Sequence, residues 1–183
     1  MHGEGDAQNP WEDRDEFRRT MDSLSPKERR RLLQRMNADI EANPDDDVAL
    51  SVRGMLHMKL GDDRRAEEDF SRVVALSPGD ADAHGYRGFA RARMGKHRAA
   101  VADYDTAIIL DPQDATAHYN RGASRAELGD LAGAIKDFDA AIEMDPNEAG
   151  PHYNRGCAPR SAQVERSRCG TRPGVGRWLG KQA

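Results

Sequence analysis

Residues 81–114 read ADAHGYRGFARARMGKHRAAVADYDTAIILDPQD, and residues 115–148 read ATAHYNRGASRAELGDLAGAIKDFDAAIEMDPNE. The two stretches superpose without a gap, and residues 47–80 fall into the same frame, so one unit repeats every 34 residues. Pro44, Pro78, Pro112 and Pro146 mark the period. Each unit has glycine in its eighth place (Gly54, Gly88, Gly122) and in its fifteenth (Gly61, Gly95, Gly129). Alanine holds the twentieth (Ala66, Ala100, Ala134) and an aromatic the twenty-fourth (Phe70, Tyr104, Phe138). A small apolar residue follows at Val73, Ala107 and Ala141, and a long one at Leu76, Leu110 and Met144.

These places have a physical reading. Ala100, Tyr104, Ala107 and Ile108 are spaced by three and four, which makes one stripe of a helix. The eighth-place glycine lets two helices approach where a side chain would hold them apart. The fifteenth-place glycine suits a left-handed cap after the first helix. The proline closes the second helix, because it has no N–H for the helical ladder. Each unit is therefore expected to be two antiparallel helices of about a dozen residues, given the usual helix lengths.

Such a unit resembles the tetratricopeptide repeat, also 34 residues long. The resemblance covers residues 47–148 and implies an all-α fold, a right-handed solenoid of antiparallel helix hairpins. Its repeats would be residues 47–80, 81–114 and 115–148. Two departures stand out. The family often has tryptophan in the fourth place, here Leu50, His84 and His118, and an aromatic in the eleventh, here His57, Arg91 and Arg125. These polar residues are expected to loosen the packing without changing the fold.

At 183 residues the chain can hold one domain with a sizeable core, but it is one-third charged and only 5% aromatic, which favours thin stacked layers. It contains no run of apolar residues of the roughly 18 that a membrane span needs. Met1–Asp15 is acidic and lacks the apolar stretch of a secretion signal. Cys157 and Cys169 fit neither a disulfide framework nor a zinc site, so the expected compartment is the cytoplasm.

Beyond the three repeats the chain changes character. Residues 1–9 are expected to be disordered and residues 10–43 to form a degenerate capping hairpin. There Ser25-Pro26-Lys27-Glu28 makes a good helix start, and Leu32, Leu33, Met36 and Ile40 an apolar stripe. Its partner helix would carry Trp11, Phe17, Met21 and Leu24. The basic cluster Lys27–Arg31 reads as a solvated helix face. Downstream, His152-Tyr153-Asn154-Arg155-Gly156 copies His118-Tyr119-Asn120-Arg121-Gly122. Pro159 then falls inside a helix, so residues 149–157 are read as an aborted fourth repeat. Residues 158–183 carry six cations against Glu165 alone, a net +5, with a composition expected to stay disordered. The loss of period inside a helix suggests a shifted reading frame or misassigned gene end in a longer array, with a native basic tail as the alternative.

Catalysis is not expected: the glycines follow the repeat frame, and no phosphate loop, nucleophilic triad or carboxylate pair is legible. His84, His118 and His152 recur in register. Stacked hairpins lie on the order of 10 Å apart, whereas zinc takes nitrogens at about 2.0–2.1 Å, so no metal or other cofactor is assigned. The histidines are expected to pack between hairpins. Arg53, Arg87 and Arg121 in the seventh place accompany Asp69, Asp103 and Asp137 in the twenty-third, and three intra-repeat ion pairs are expected, with independent solvation as the alternative.

The resemblance implies that the first helices line a concave groove for a peptide or helix of a partner protein. The groove would be lined by Val52, Met55, Met58, Tyr86, Phe89, Arg93, Tyr119, Asn120, Tyr153 and Asn154, part of them also packing between hairpins. Repeats of this kind that grip a chaperone's C-terminal carboxylate need Lys, Asn, Asn, Lys and Arg where this chain has Gly85, Phe89, Asn120, Gly150 and Asn154. Only Asn120 agrees, which disfavours that ligand. The other readings are self-association as a homodimer through an uncovered last repeat, a truncated array without independent function, and weak nucleic-acid binding by the arginine-rich tail, the last disfavoured.

Overall fold

Helix starts and stops are set by short-range hydrogen bonds that recur with the period. The computed structural model describes residues 21 and 23–161, and eight helices are named among them. They are α1 (Pro26–Ala42), α2 (Asp47–Lys59), α3 (Asp63–Leu76), α4 (Ala81–Arg93), α5 (His97–Leu110), α6 (Ala115–Glu127), α7 (Leu131–Met144) and α8 (Ala149–Ser161). Asp46, Asp80 and Asp114 cap α2, α4 and α6, each accepting from the backbone N–H three residues on at 2.8–3.1 Å. At the far end Gly61, Gly95 and Gly129 take φ of 80°, 75° and 85°. There the N–H of the following residue reaches back to the carbonyl of His57, Arg91 or Arg125 at 2.8–2.9 Å. This is a Schellman closure, repeated three times.

α1 begins with the expected capping box: Ser25 N–H donates to Glu28 Oε2 at 2.8 Å, and Glu28 N–H to Ser25 Oγ at 3.4 Å. Met36 and Ile40 are buried with Met21, Ala49, Leu50, Leu56 and Val73, and Leu32 and Leu33 flank them. The segment thus covers the first face of the repeat array. The companion helix expected around Trp11 and Phe17 lies outside the described residues, as do residues 1–9 and, of the tail expected to be disordered over 158–183, residues 162–183.

Helices pair in sequence, α2 with α3, α4 with α5 and α6 with α7, and each pair packs on the next. Phe70, Tyr104 and Phe138 are buried to 0–1% exposure and press on Gly54, Gly88 and Gly122. A Cβ on those glycines would stand 2.8–3.0 Å from ring carbons. The ring of the second helix therefore sits in a hole that only glycine leaves open, and the alternation of knob and hole fixes the hairpin.

Two expectations change. The break foreseen after residue 157 does not occur: α8 runs through Pro159 to Ser161, as long, at 13 residues, as α2, α4 and α6. Pro151 lies in the first turn, where its missing N–H leaves no bond unmade. Pro159 removes a single bond, to the Arg155 carbonyl, and the helix continues past it to Ser161. The fourth unit therefore has a whole first helix. The eleventh-place arginines do not loosen the packing either. Arg91 Nη1 and Arg125 Nη1 donate at 2.8 Å to Asp103 and Asp137, closing a second arm on carboxylates that are 3% exposed.

Candidate functional site

The first helices of successive pairs, α2, α4, α6 and α8, touch one another in order and so share one face of the molecule. An ionic ladder ties each first helix to the second helices beside it. Arg53, Arg87 and Arg121 each place Nη2 2.6 Å from the carboxylate of Asp69, Asp103 and Asp137, the three expected pairs. Burial works against the Arg121 charge, yet bonds to Asp137 and Asp105 outweigh it and raise the pKa. Asp105 belongs to the preceding repeat and bonds Arg121 Nη1 at 2.8 Å. Asp139, 34 residues on, pairs in the same way with Arg155. Between the first and second repeats Glu67 takes this bridging role, meeting Arg91 at 2.8 Å and Lys96 at 2.6 Å. These bridging acids were not singled out from the sequence, although the recurrence of Asp105 and Asp139 was there to be read.

The histidine ladder has a more specific task than packing. The Nε2 atoms of His84, His118 and His152 lie 3.1, 3.3 and 3.0 Å from the carbonyl oxygens of Pro78, Pro112 and Pro146. A carbonyl only accepts, so each ring donates from Nε2 and ties the first helix to the loop that delivers it. Among the described residues no group of three or more His, Cys, Asp or Glu could hold a metal ion.

The ten residues expected to line a groove divide into two sets. Val52, 2% exposed, belongs to the core that α1 covers and not to an open wall. Met58, Tyr86 and Phe89 are buried in one cluster with Phe70, on which Tyr86 stacks at 5.1 Å and 15°. Tyr119 is buried against Phe138 at 5.9 Å. Burial keeps the Tyr119 hydroxyl protonated by raising its pKa, and that oxygen accepts from Asn154 Nδ2 at 2.9 Å. Asn120 is also buried, but its Nδ2 has no hydrogen-bond partner among the described residues. Met55 and Asn154 are half-buried, and Tyr153 is 61% exposed. The Arg93 guanidinium is engaged three times: by Asp63 at 3.2 Å, by the Met58 carbonyl at 3.1 Å, and over the Phe89 ring at 5.9 Å. The open part of the face is thus a strip running past Met55, Arg93 and Asn154 to Tyr153, backed by buried aromatic rings.

Two family models, both described as Tetratricopeptide repeat, match residues 49–80 and 87–149, together more than half of the chain. Among solved structures, MamA is similar over 81% of this chain and 84% of its own, at 22% identity and TM-score 0.72. The first TPR of Spaghetti (RPAP3), bound to the HSP90 peptide SRMEEVD, is 23% identical over 64% of this chain and 94% of its own, with TM-score 0.63. The second TPR domain of human RPAP3, in complex with the HSP70 peptide SGPTIEEVD, is 26% identical over 62% and 98%, with TM-score 0.59. No curated protein matches the sequence. Period, capped hairpins, glycine-seated rings and family models agree, and the chain belongs to the tetratricopeptide-repeat family.

Proposed function

We propose that this chain is a non-catalytic interaction scaffold whose first-helix face receives a segment of another protein. The observation that carries the proposal is the strip of the first-helix face left open past Met55, Arg93, Asn154 and Tyr153 and backed by buried aromatic rings. Support also comes from the peptides seated on RPAP3 domains of the same fold. The ligand chemistry differs, because Gly85, Phe89, Gly150 and Asn154 offer no cation for a terminal carboxylate and Arg93 is already engaged. Methionine, tyrosine and a single amide suit an internal, largely apolar segment. Three supports remain for the repeats at 47–80, 81–114 and 115–148: the period, the helix bounds and the caps. The two cysteines, outside any pairing motif, support a reducing compartment, and among the described residues no helix is long and apolar enough to cross a membrane.

Tyr86, Phe89 and Tyr119 are core residues, so their alanine variants would report folding as much as binding. A photo-crosslinking residue placed at Met55 or Tyr153 is expected to capture a partner that one placed at Ile109, 78% exposed on a second helix, does not. Equal capture from both faces would reject the reading.

A further inference from the structure

In three hairpins the first helix presents the same pair, an arginine and the glycine after it, and the second helix fills it with an aspartate and the aromatic after that. The sets are Arg53-Gly54 with Asp69-Phe70, Arg87-Gly88 with Asp103-Tyr104, and Arg121-Gly122 with Asp137-Phe138. α8 carries a fourth pair, Arg155-Gly156. Among the described residues nothing lies within 4 Å of a Cβ built at Gly156. Arg155 holds Asp139, the equivalent of the Asp105 that holds Arg121, but has no counterpart of Asp137 among them. Its side chain is 54% exposed, against 15% for Arg121. The socket is formed and its occupant is not among the described residues.

The three filled sockets specify that occupant. Each covering helix buries Ala, Asp, an aromatic and a small apolar residue at i, i+3, i+4 and i+7: Ala66, Asp69, Phe70, Val73 in α3, and the equivalent four in α5 and α7. We propose that the outer face of α8 is a docking socket for one amphipathic helix of another polypeptide, carrying Ala-x-x-Asp-(Phe/Tyr)-x-x-(Ala/Val). Its aspartate meets Arg155 and its ring seats on Gly156. The chain's own residues 162–183 do not fit, because in register they put Thr171 and Arg172 where the aspartate and ring belong, and they carry net positive charge. A second copy is no better supplied, since the three Asp-aromatic helices described are already seated on their own arginine and glycine. This socket lies beside the proposed peptide-binding strip and stands or falls independently of it.

The probe is a labelled synthetic copy of residues 130–147, with Ala132→Glu lactam-bridged to Lys136 to hold it helical; both positions are exposed in α7. Titrated into the full chain, it is expected to bind saturably, and Phe138→Ala in the probe to weaken binding by about a hundredfold. Gly156→Leu in the chain is expected to abolish binding without lowering the thermal unfolding temperature, because no described neighbour stands within 4 Å of the added Cβ and leucine is the better helix former. Absence of binding to the full chain overturns the proposal, and means that residues 162–183 or nothing fills the socket. Binding that survives Gly156→Leu also overturns it, since the probe would then be displacing α7 or sitting elsewhere. A dimer of the unliganded chain that Gly156→Leu dissolves would overturn the assignment in favour of a second copy.

Discussion

Tyr104, Phe70 and Phe138 occupy one place in three repeats, yet only Tyr104 takes a hydroxyl into the core, fully buried and with no partner among the described residues. Burial raises its pKa well above the usual tyrosine value, so the group stays neutral. Its desolvation is uncompensated, and Tyr104→Phe is expected to raise stability by about 1 kcal/mol, read as a higher denaturant midpoint at unchanged slope. Asp103 is the opposite case, a 3%-exposed carboxylate bracketed by Arg87 and Arg91. Asp103→Ala strands the largely buried Arg87 guanidinium and leaves Arg91 with Glu67 alone, and should cost about 3 kcal/mol. A double-mutant cycle with Arg87→Ala should show coupling of about 1–3 kcal/mol, and zero coupling would mean that the pair is geometric only. His57, where the other repeats have arginine, is buried, and desolvation lowers its pKa below 6.5. The folded chain therefore binds fewer protons than the unfolded one below pH 6.5. The stability held above that value is lost as pH falls through this window. Glu67, whose pKa is lowered from 4.5 by Lys96 and Arg91 against the opposing effect of burial, loses its contribution only below pH 4.5. The fall in melting temperature between pH 7.5 and 5.5 is thus expected to shrink in His57→Asn, and an identical fall in both proteins would remove His57 from the account.

At the scale of the helix, one glycine place has two fates. In α6 a Cβ on Gly122 would lie 2.8 Å from the Phe138 ring, while in α8 Gly156 has no described neighbour within 4 Å. Gly122→Ala is expected to cost about 1–3 kcal/mol by overpacking. Gly156→Ala should gain up to about 1 kcal/mol, because alanine is the better helix former. Thermal melts of the two variants should therefore move in opposite directions, and a loss in both would mean that α8 is covered. Helix starts and stops were legible in the sequence because capping is local: Ser25 and Glu28, the aspartates before α2, α4 and α6, and the turn glycines all act within a few residues. The break expected after residue 157 was a misreading. Pro159 was weighed as a helix breaker, but its missing N–H costs a single bond, and α8 continues past it to Ser161.

Across the whole molecule each hairpin packs chiefly on its sequence neighbours, so stability is a sum of repeat and interface terms. α1 closes one end over Met36 and Ile40, whereas α8 packs on α7 and α6 from one side. Amide exchange is expected to be fastest in α8 and slowest in α4–α5, and slower exchange in α8 than in α5 would contradict this nearest-neighbour picture. The sequence alone determined the repeat and its hairpins, because these rest on spacings within one 34-residue unit; it pointed to the three Arg–Asp pairs, and the structure decided them against independent solvation. Only the tertiary structure decided which side chains of the first-helix face stay open. Val52 and Tyr86 hold the same place in consecutive repeats, as do Asn120 and Asn154 in the next two. Val52 is buried in the core that α1 covers and Tyr86 by stacking on Phe70, while Asn120 is buried with a bare Nδ2 and Asn154 reaches the Tyr119 hydroxyl. The same holds for Arg91, which meets both Asp103 and Glu67. The physical reason is that exposure and pairing depend on the distance between neighbouring repeats, set by the bulk of every side chain between them, and no single unit's pattern contains that distance.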